Sequence, residues 1–153
     1  MRAMDDIVFA IQRLYPQVFL ACHVRHVRRR STPFALTERE ASLLAHLDRV
    51  EPTTARELER PLGVGAPSMS AMLTRLERLG LVARAPRERD RRTRAVRLSE
   101  RGADALRAGS VLDTERLTHV VAGLKPRERE LVVRGLEHLA RAARGVSAKE
   151  RWS

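Results

Sequence analysis

One cysteine, Cys22, stands in a chain of 153 residues. A disulfide framework and a zinc site of four cysteines are therefore excluded, and a reducing compartment is expected. Aromatic residues are equally sparse: three Phe, one Tyr and one Trp, with only Trp152 beyond Phe34. Single-stranded nucleic acid is usually gripped by bases stacking on aromatic or Arg planes, so a chain without aromatics between residues 35 and 151 suits that ligand poorly. Long apolar runs are missing, and the start Met1-Arg2-Ala3-Met4-Asp5-Asp6 carries no secretory segment. No stretch pairs a basic face cleanly with bulky apolar residues, as a membrane-surface helix would. A soluble cytoplasmic protein without a membrane partner is expected. The chain also lacks a Gly-rich phosphate loop, a zinc-protease helix motif and a nucleophile elbow. Its paired carboxylates, Asp5-Asp6 and Glu38 with Glu40, fall at helix starts, where the helix dipole accounts for them. Enzymatic activity, a cofactor and a metal are not expected.

What the chain has is positive charge, +11 overall, with Lys125 and Lys149 the only lysines among 30 basic residues. An arginine skew can arise from coding bias, which spreads charge, whereas a binding surface concentrates it. Here Arg84 to Arg97 holds seven Arg against two acids, and Arg25 to Arg30 holds four Arg and no acid. Those two segments carry nine of the eleven excess charges. A solvated loop and helix end is the plain alternative; a polyanion partner, and among polyanions duplex DNA, fits better. With 43% apolar residues the chain can build one domain's core.

Hydrophobic periodicity predicts a helix over residues 5 to 30, with stripes at Ile7, Ile11, Leu14, Val18 and Cys22 and at Leu20, Val24 and Val27. Pro16 should divide it into two pieces. Thr37 and Glu40 form a capping box for a second helix, and Thr54 and Glu57 form another for a short third helix ending by Pro61-Leu62-Gly63. Pro67 opens a fourth helix, Ser68 to Leu79, closed by Gly80. The third and fourth make a helix-turn-helix. Alternation at Leu81 to Arg84 and Ala95 to Leu98, around the polar stretch from Pro86 to Arg94, predicts a β-hairpin. A long helix from about Glu100 to Gly123, capped by Ser99, with a bend at Gly109-Ser110, and a last helix from Arg127 to about Arg144 complete the pattern. The predicted fold is mainly α with a small β-hairpin wing: a winged helix-turn-helix embedded in a helical dimerisation domain.

The second helix of a helix-turn-helix offers its outer face to base edges in the major groove. That face comprises Ser68, Ser70, Ala71, Thr74 and Arg75, of which Arg75 alone could bind guanine in bidentate fashion. Met69, Met72, Leu73 and Leu76 should pack inward. In the wing, Arg87, Arg89, Arg91, Arg92 and Arg94 suit the negative potential of a narrow minor groove. Asp90 can orient the Arg92 guanidinium. A solvated Arg75, and a basic loop that touches only phosphates, are the plain alternatives.

Taken together, Thr54-x-x-Glu57-Leu58, Leu62-Gly63-Val64, Pro67-Ser68-Met69-Ser70, Arg75-Leu76-Glu77-Arg78-Leu79-Gly80-Leu81-Val82, Asp90-Arg91-Arg92 and Leu98-Ser99-Glu100-x-Gly102 resemble the MarR family of bacterial transcriptional regulators. The similarity is close over residues 36 to 102. It implies an obligate homodimer with interlocking terminal helices, a winged helix-turn-helix on each protomer, and repression relieved by a small ligand or oxidant. By motif, Ser68, Ser70, Thr74 and Arg75 match recognition-helix positions and Asp90 and Arg92 the wing pair. Ala71 departs from the larger polar or basic residue usual there, and Pro16 interrupts a helix that is commonly continuous. Residues 1–35 and 101–146 would then be dimerisation helices, 36–100 the DNA-binding unit, and 147–153 a tail. The apolar stripes support dimerisation separately, because a small DNA-binding unit cannot bury all of them. A two-fold dimer calls for a pseudo-palindromic operator.

For sensing, Cys22, His23 and His26 are the candidates. His23 and His26 share a helix face at a spacing compatible with a metal, although ordinary polar contacts explain such histidines as well. Cys22, beside Arg25, could be a redox thiol, but its place on the apolar stripe suits an inert core residue better. The main rival to a sequence-specific regulator is a sequence-tolerant architectural DNA binder.

Overall fold

Two short helices begin with the same four-residue device. At Thr37 and at Thr54 the hydroxyl accepts the amide of the residue three places on, while that residue's carboxylate accepts the threonine amide. The helices so started are α2 (Glu38–Ala45) and α3 (Ala55–Leu62), numbered after α1 (Arg2–Cys22). Between them lies β1 (Thr53–Thr54), and beyond them α4 (Ala66–Arg78), β2 (Val82–Ala85), β3 (Ala95–Leu98), α5 (Glu100–Gly109), α6 (Thr114–Ala122) and α7 (Pro126–Arg144). The computed structural model describes residues 2–23, 34–85 and 94–144. Contacts divide the chain into two units, residues 29–109 with 132–153 and residues 1–28 with 110–131.

The first unit contains the helix-turn-helix and hairpin. Gly63 closes α3 in the left-handed conformation, at φ 62° and ψ 38°, which glycine adopts without steric cost. Gly80, at φ 73°, turns the chain from α4 into β2. Strands β2 and β3 pair antiparallel with Val82 opposite Leu98 and Ala85 opposite Ala95. The short β1, absent from the sequence reading, adds Thr53 opposite Val96 on β3's other side. Leu43, Leu58, Met69, Leu73, Leu76, Leu81 and Val96 are fully buried in one core, and Ala103 and Ala105 bring α5 into it. Ser99 holds the corner, accepting the Gly102 amide and donating to the Gly80 carbonyl. A Cβ on Gly102 would lie 2.0 Å from the Leu81 carbonyl oxygen and 2.9 Å from Leu98 Cδ1.

In the second unit α1 is one helix, not two, and Pro16 lies within it. Proline removes one backbone hydrogen bond, but this stretch is exposed, so water can satisfy the released carbonyl. The Gln17 side chain also donates to the Arg13 carbonyl. At Cys22 the helix ends and His23 pairs with Leu112 in an isolated bridge; the continuation expected to residue 30 lies outside the described residues. The long helix expected from Glu100 to Gly123 is interrupted as well. It stops at Gly109, and Asp113 restarts it as the N-cap of α6, its side chain accepting the Arg116 amide. The Asp113 amide meanwhile donates to the Cys22 carbonyl at 2.7 Å, a tertiary bond that continuous helix would forbid.

The apolar stripe of α1 is largely uncovered: Ile7, Phe9, Leu14, Val18 and Leu20 are all exposed, as are Leu131, Val133, Leu136 and Leu139 of α7. No described helix is long and apolar enough to cross a membrane.

Substituting Gly102 by Ala is expected to destabilise the protein by about 3 kcal/mol, because backbone rather than a flexible side chain blocks the new methyl. Chemical denaturation checks this; an unchanged midpoint would mean that the corner yields.

Candidate nucleic-acid interface

Helix α4 is divided between core and solvent. Met69, Leu73 and Leu76 are fully buried at helical spacing, which turns Ser68, Ser70, Ala71 and Arg78 outward, all exposed. Thr74 and Arg75 are half-buried on its two flanks. Of the recognition residues expected from sequence, Ser68, Ser70 and Ala71 thus share open surface.

Arg75 is engaged. Its guanidinium pairs with Glu40 of α2 and reaches the Phe34 carbonyl at 3.4 Å. The Glu40 side chain is only 5% exposed against 42% for Arg75, so the carboxylate depends on the pair far more than the guanidinium does. Burial alone would push the Glu40 carboxyl upward. Bonds from Arg75 and from the Thr37 amide outweigh it and hold the carboxyl below its ordinary value of 4.5. Above that value the ionised pair stabilises the fold fully, and the contribution is lost as pH falls through the lower folded value.

A second acid, Glu77, occupies the opposite flank of α4. Arg94, the residue leading into β3, donates to one Glu77 oxygen from Nη2 at 2.7 Å and from Nε at 3.2 Å. Arg84 of β2 approaches the other oxygen at 3.5 Å. Arg94, expected in the wing, therefore lies against α4 and ties the base of the hairpin to it. The remaining wing candidates, Arg87, Arg89, Asp90, Arg91 and Arg92, lie outside the described residues, and so does His26. Neither Glu40 as the partner of Arg75 nor Glu77 was anticipated. For Glu77 a signal existed: it shares a face with Ser70 and Thr74, and an acid on a surface meant for a polyanion requires neutralisation. Glu40 offered only its capping role.

The sensing candidates occupy the other unit. Cys22 is fully buried and forms no disulfide. The His23 ring stacks on Phe19 at 4.9 Å, and Phe19 on Tyr15 at 6.4 Å. Among the described residues no group of three or more His, Cys, Asp or Glu is placed to hold a metal.

A capped helix joined through the Gly63 turn to a second helix, followed by a hairpin pinned to that second helix, defines a winged helix-turn-helix protein. Residues 36–93 match the family model described as the MarR family. The fold is similar to that of the YusO protein from Bacillus subtilis, at 20% identity over 92% of this chain and 96% of that one, TM-score 0.51. It is also similar to a mutant MepR from a multidrug-resistant S. aureus clinical isolate, at 19% identity over 92% and 94%, TM-score 0.54. Over residues 36–93 the chain is similar to the MarR family of winged-helix transcriptional regulators.

Replacing Glu40 by Ala should cost about 2–3 kcal/mol at neutral pH, the value of charge-assisted bonds to a buried group. The variant should also lose less stability than the parent between about pH 5 and pH 3. Denaturant titrations across that range check both expectations.

Proposed function

We propose that this protein is a homodimeric, sequence-specific binder of double-stranded DNA that regulates transcription, acting as a ligand- or stress-responsive repressor. The observation that carries the reading is the division of α4, with a buried apolar face and an outer face of Ser68, Ser70 and Ala71 small enough for a groove floor to approach. Ser and Thr hydroxyls can serve bases or phosphates. The Arg-rich segment between β2 and β3 would enter the neighbouring minor groove, with Asp90 orienting Arg92.

Dimerisation through residues 1–35 and 101–146 is supported by the exposed apolar residues of α1 and α7, which a second copy would cover. Two-fold symmetry would then place recognition helices about one DNA turn apart, on half-sites about 10 base pairs apart. The reading of a small-molecule effector rests on the family, whose members are regulators of this kind, and no chemical class of effector is assigned. A cytoplasmic location follows from the regulatory role.

Light scattering is expected to give the mass of two chains. Selection from random duplex DNA should recover a pseudo-palindrome preferred by at least ~10³ over unrelated sequence. In gel shifts the log–log salt slope should be steep, near −0.9 per phosphate neutralised, and Arg92→Ala should lower its magnitude by about 1 if Arg92 neutralises a phosphate. A monomeric mass or a flat slope would overturn the reading; equal affinity for all duplexes would replace it with a sequence-tolerant architectural role.

A further inference from the structure

The two guanidiniums flanking α4 are held in different ways. Arg75 pairs through Nη1 with the buried Glu40 carboxylate and places Nη2 3.4 Å from the Phe34 carbonyl, with 42% of its side chain exposed. Arg94 is gripped from behind. Glu77 takes its Nε and Nη2, while among the described residues Nη1 has only contacts of 3.5 Å, to the Ser70 carbonyl, the Ser70 hydroxyl and the Thr74 hydroxyl. Such distances lie at the outer limit of hydrogen bonding, so Nη1 gives up little by changing partners. One of these neighbours, Ser70, is exposed on the outer half of α4, and the other, Thr74, is half-buried. The main chain of Arg94 is fixed too, its carbonyl accepting the Ala55 amide at the start of α3. A guanidinium anchored at its backbone and braced by a carboxylate loses little rotamer freedom when it meets a ligand.

We propose that Arg94 determines specificity by reading a base edge beside Ser70 in the major groove, with Glu77 as its positioning residue. This rests on the DNA-binding reading above. It moves the guanidinium that reads sequence from Arg75, where the motif put it, to the residue that opens β3. Guanine is the base expected, since its O6 and N7 both accept from arginine. Arg75 is then a clamp between α2 and α4. Glu77, which alone would repel phosphates, serves to aim a cation.

The test is selection from a random duplex library with the full-length protein, its Arg94→Lys variant and its Glu77→Gln variant, each with a thermal melt and a gel-shift salt titration. Lysine keeps the charge but not the planar fork. The expected result is one position per half-site at which guanine preference falls about tenfold or more in Arg94→Lys. Other positions and the salt slope should stay as in the parent. Glu77→Gln should weaken preference at that same position. An unchanged profile in Arg94→Lys overturns the proposal, because neutralising Glu77 or touching phosphate needs only the charge. So does an Arg94→Lys protein that melts before it can bind, which would make Arg94 a strut. If the parent itself selects no sequence, the DNA-binding reading fails first, an outcome distinct from a selective parent whose Arg94→Lys variant selects identically.

Discussion

A buried carboxylate must find partners or lose its charge, and Glu40 finds them in two directions. One is local, the Thr37 amide that it caps; the other is the Arg75 guanidinium on α4. Because the carboxylate is almost wholly removed from water, the pair constrains geometry more than it adds net stability. It fixes the rotation of α4 about its own axis relative to α2. That rotation decides which side chains are sealed in the core and which meet solvent. The same guanidinium reaches Phe34, whose ring lies under the Arg101 guanidinium at 4.7 Å. The segment entering α2 is thereby held beside α4.

The other flank of α4 is organised by a second acid. Glu77 collects Arg94 and Arg84 from the two sides of the hairpin, so the wing's base is joined to the recognition helix by charge as well as by the shared core of Val82, Val96 and Leu98. Glu40 and Glu77 differ in depth, and their partners differ accordingly. Arg75 pairs with an interior carboxylate while 42% of its own side chain stays exposed, whereas Arg94 pairs with the half-buried Glu77 and is itself 21% exposed. An arginine-rich surface thus contains guanidiniums with distinct partners that net charge cannot separate.

The unit built from residues 1–28 and 110–131 is economical in its own contacts. It holds together through the Cys22–Asp113 backbone bond, the His23–Leu112 bridge and the α6 cap at Asp113. Its helix α1 leaves a long row of large apolar side chains in water. Exposing so many on one helix is costly for a lone chain, which is the physical ground for reading α1 as an association surface.

Short-range chemistry was legible in the sequence. The boxes at Thr37–Glu40 and Thr54–Glu57, the left-handed glycines at 63 and 80, the first-turn Pro67 and the inward stripe Met69–Leu73–Leu76 depend on neighbours within a few residues, so the order of elements in the winged helix could be derived without coordinates. Other features depended on distant partners. The restart at Asp113 needs the Cys22 carbonyl, β1 is two residues long and exists only because β3 has a free edge, and Pro16 is tolerated because its turn faces water. For the site, the small polar face of α4 was visible in its periodicity, but the pairing of Arg75 with Glu40 and of Arg94 with Glu77 was not. Residue type and helical phase place a guanidinium on a surface; only folding brings Glu40 to within reach of a residue 35 positions away, and a buried carboxylate then claims that guanidinium because it has no water to turn to.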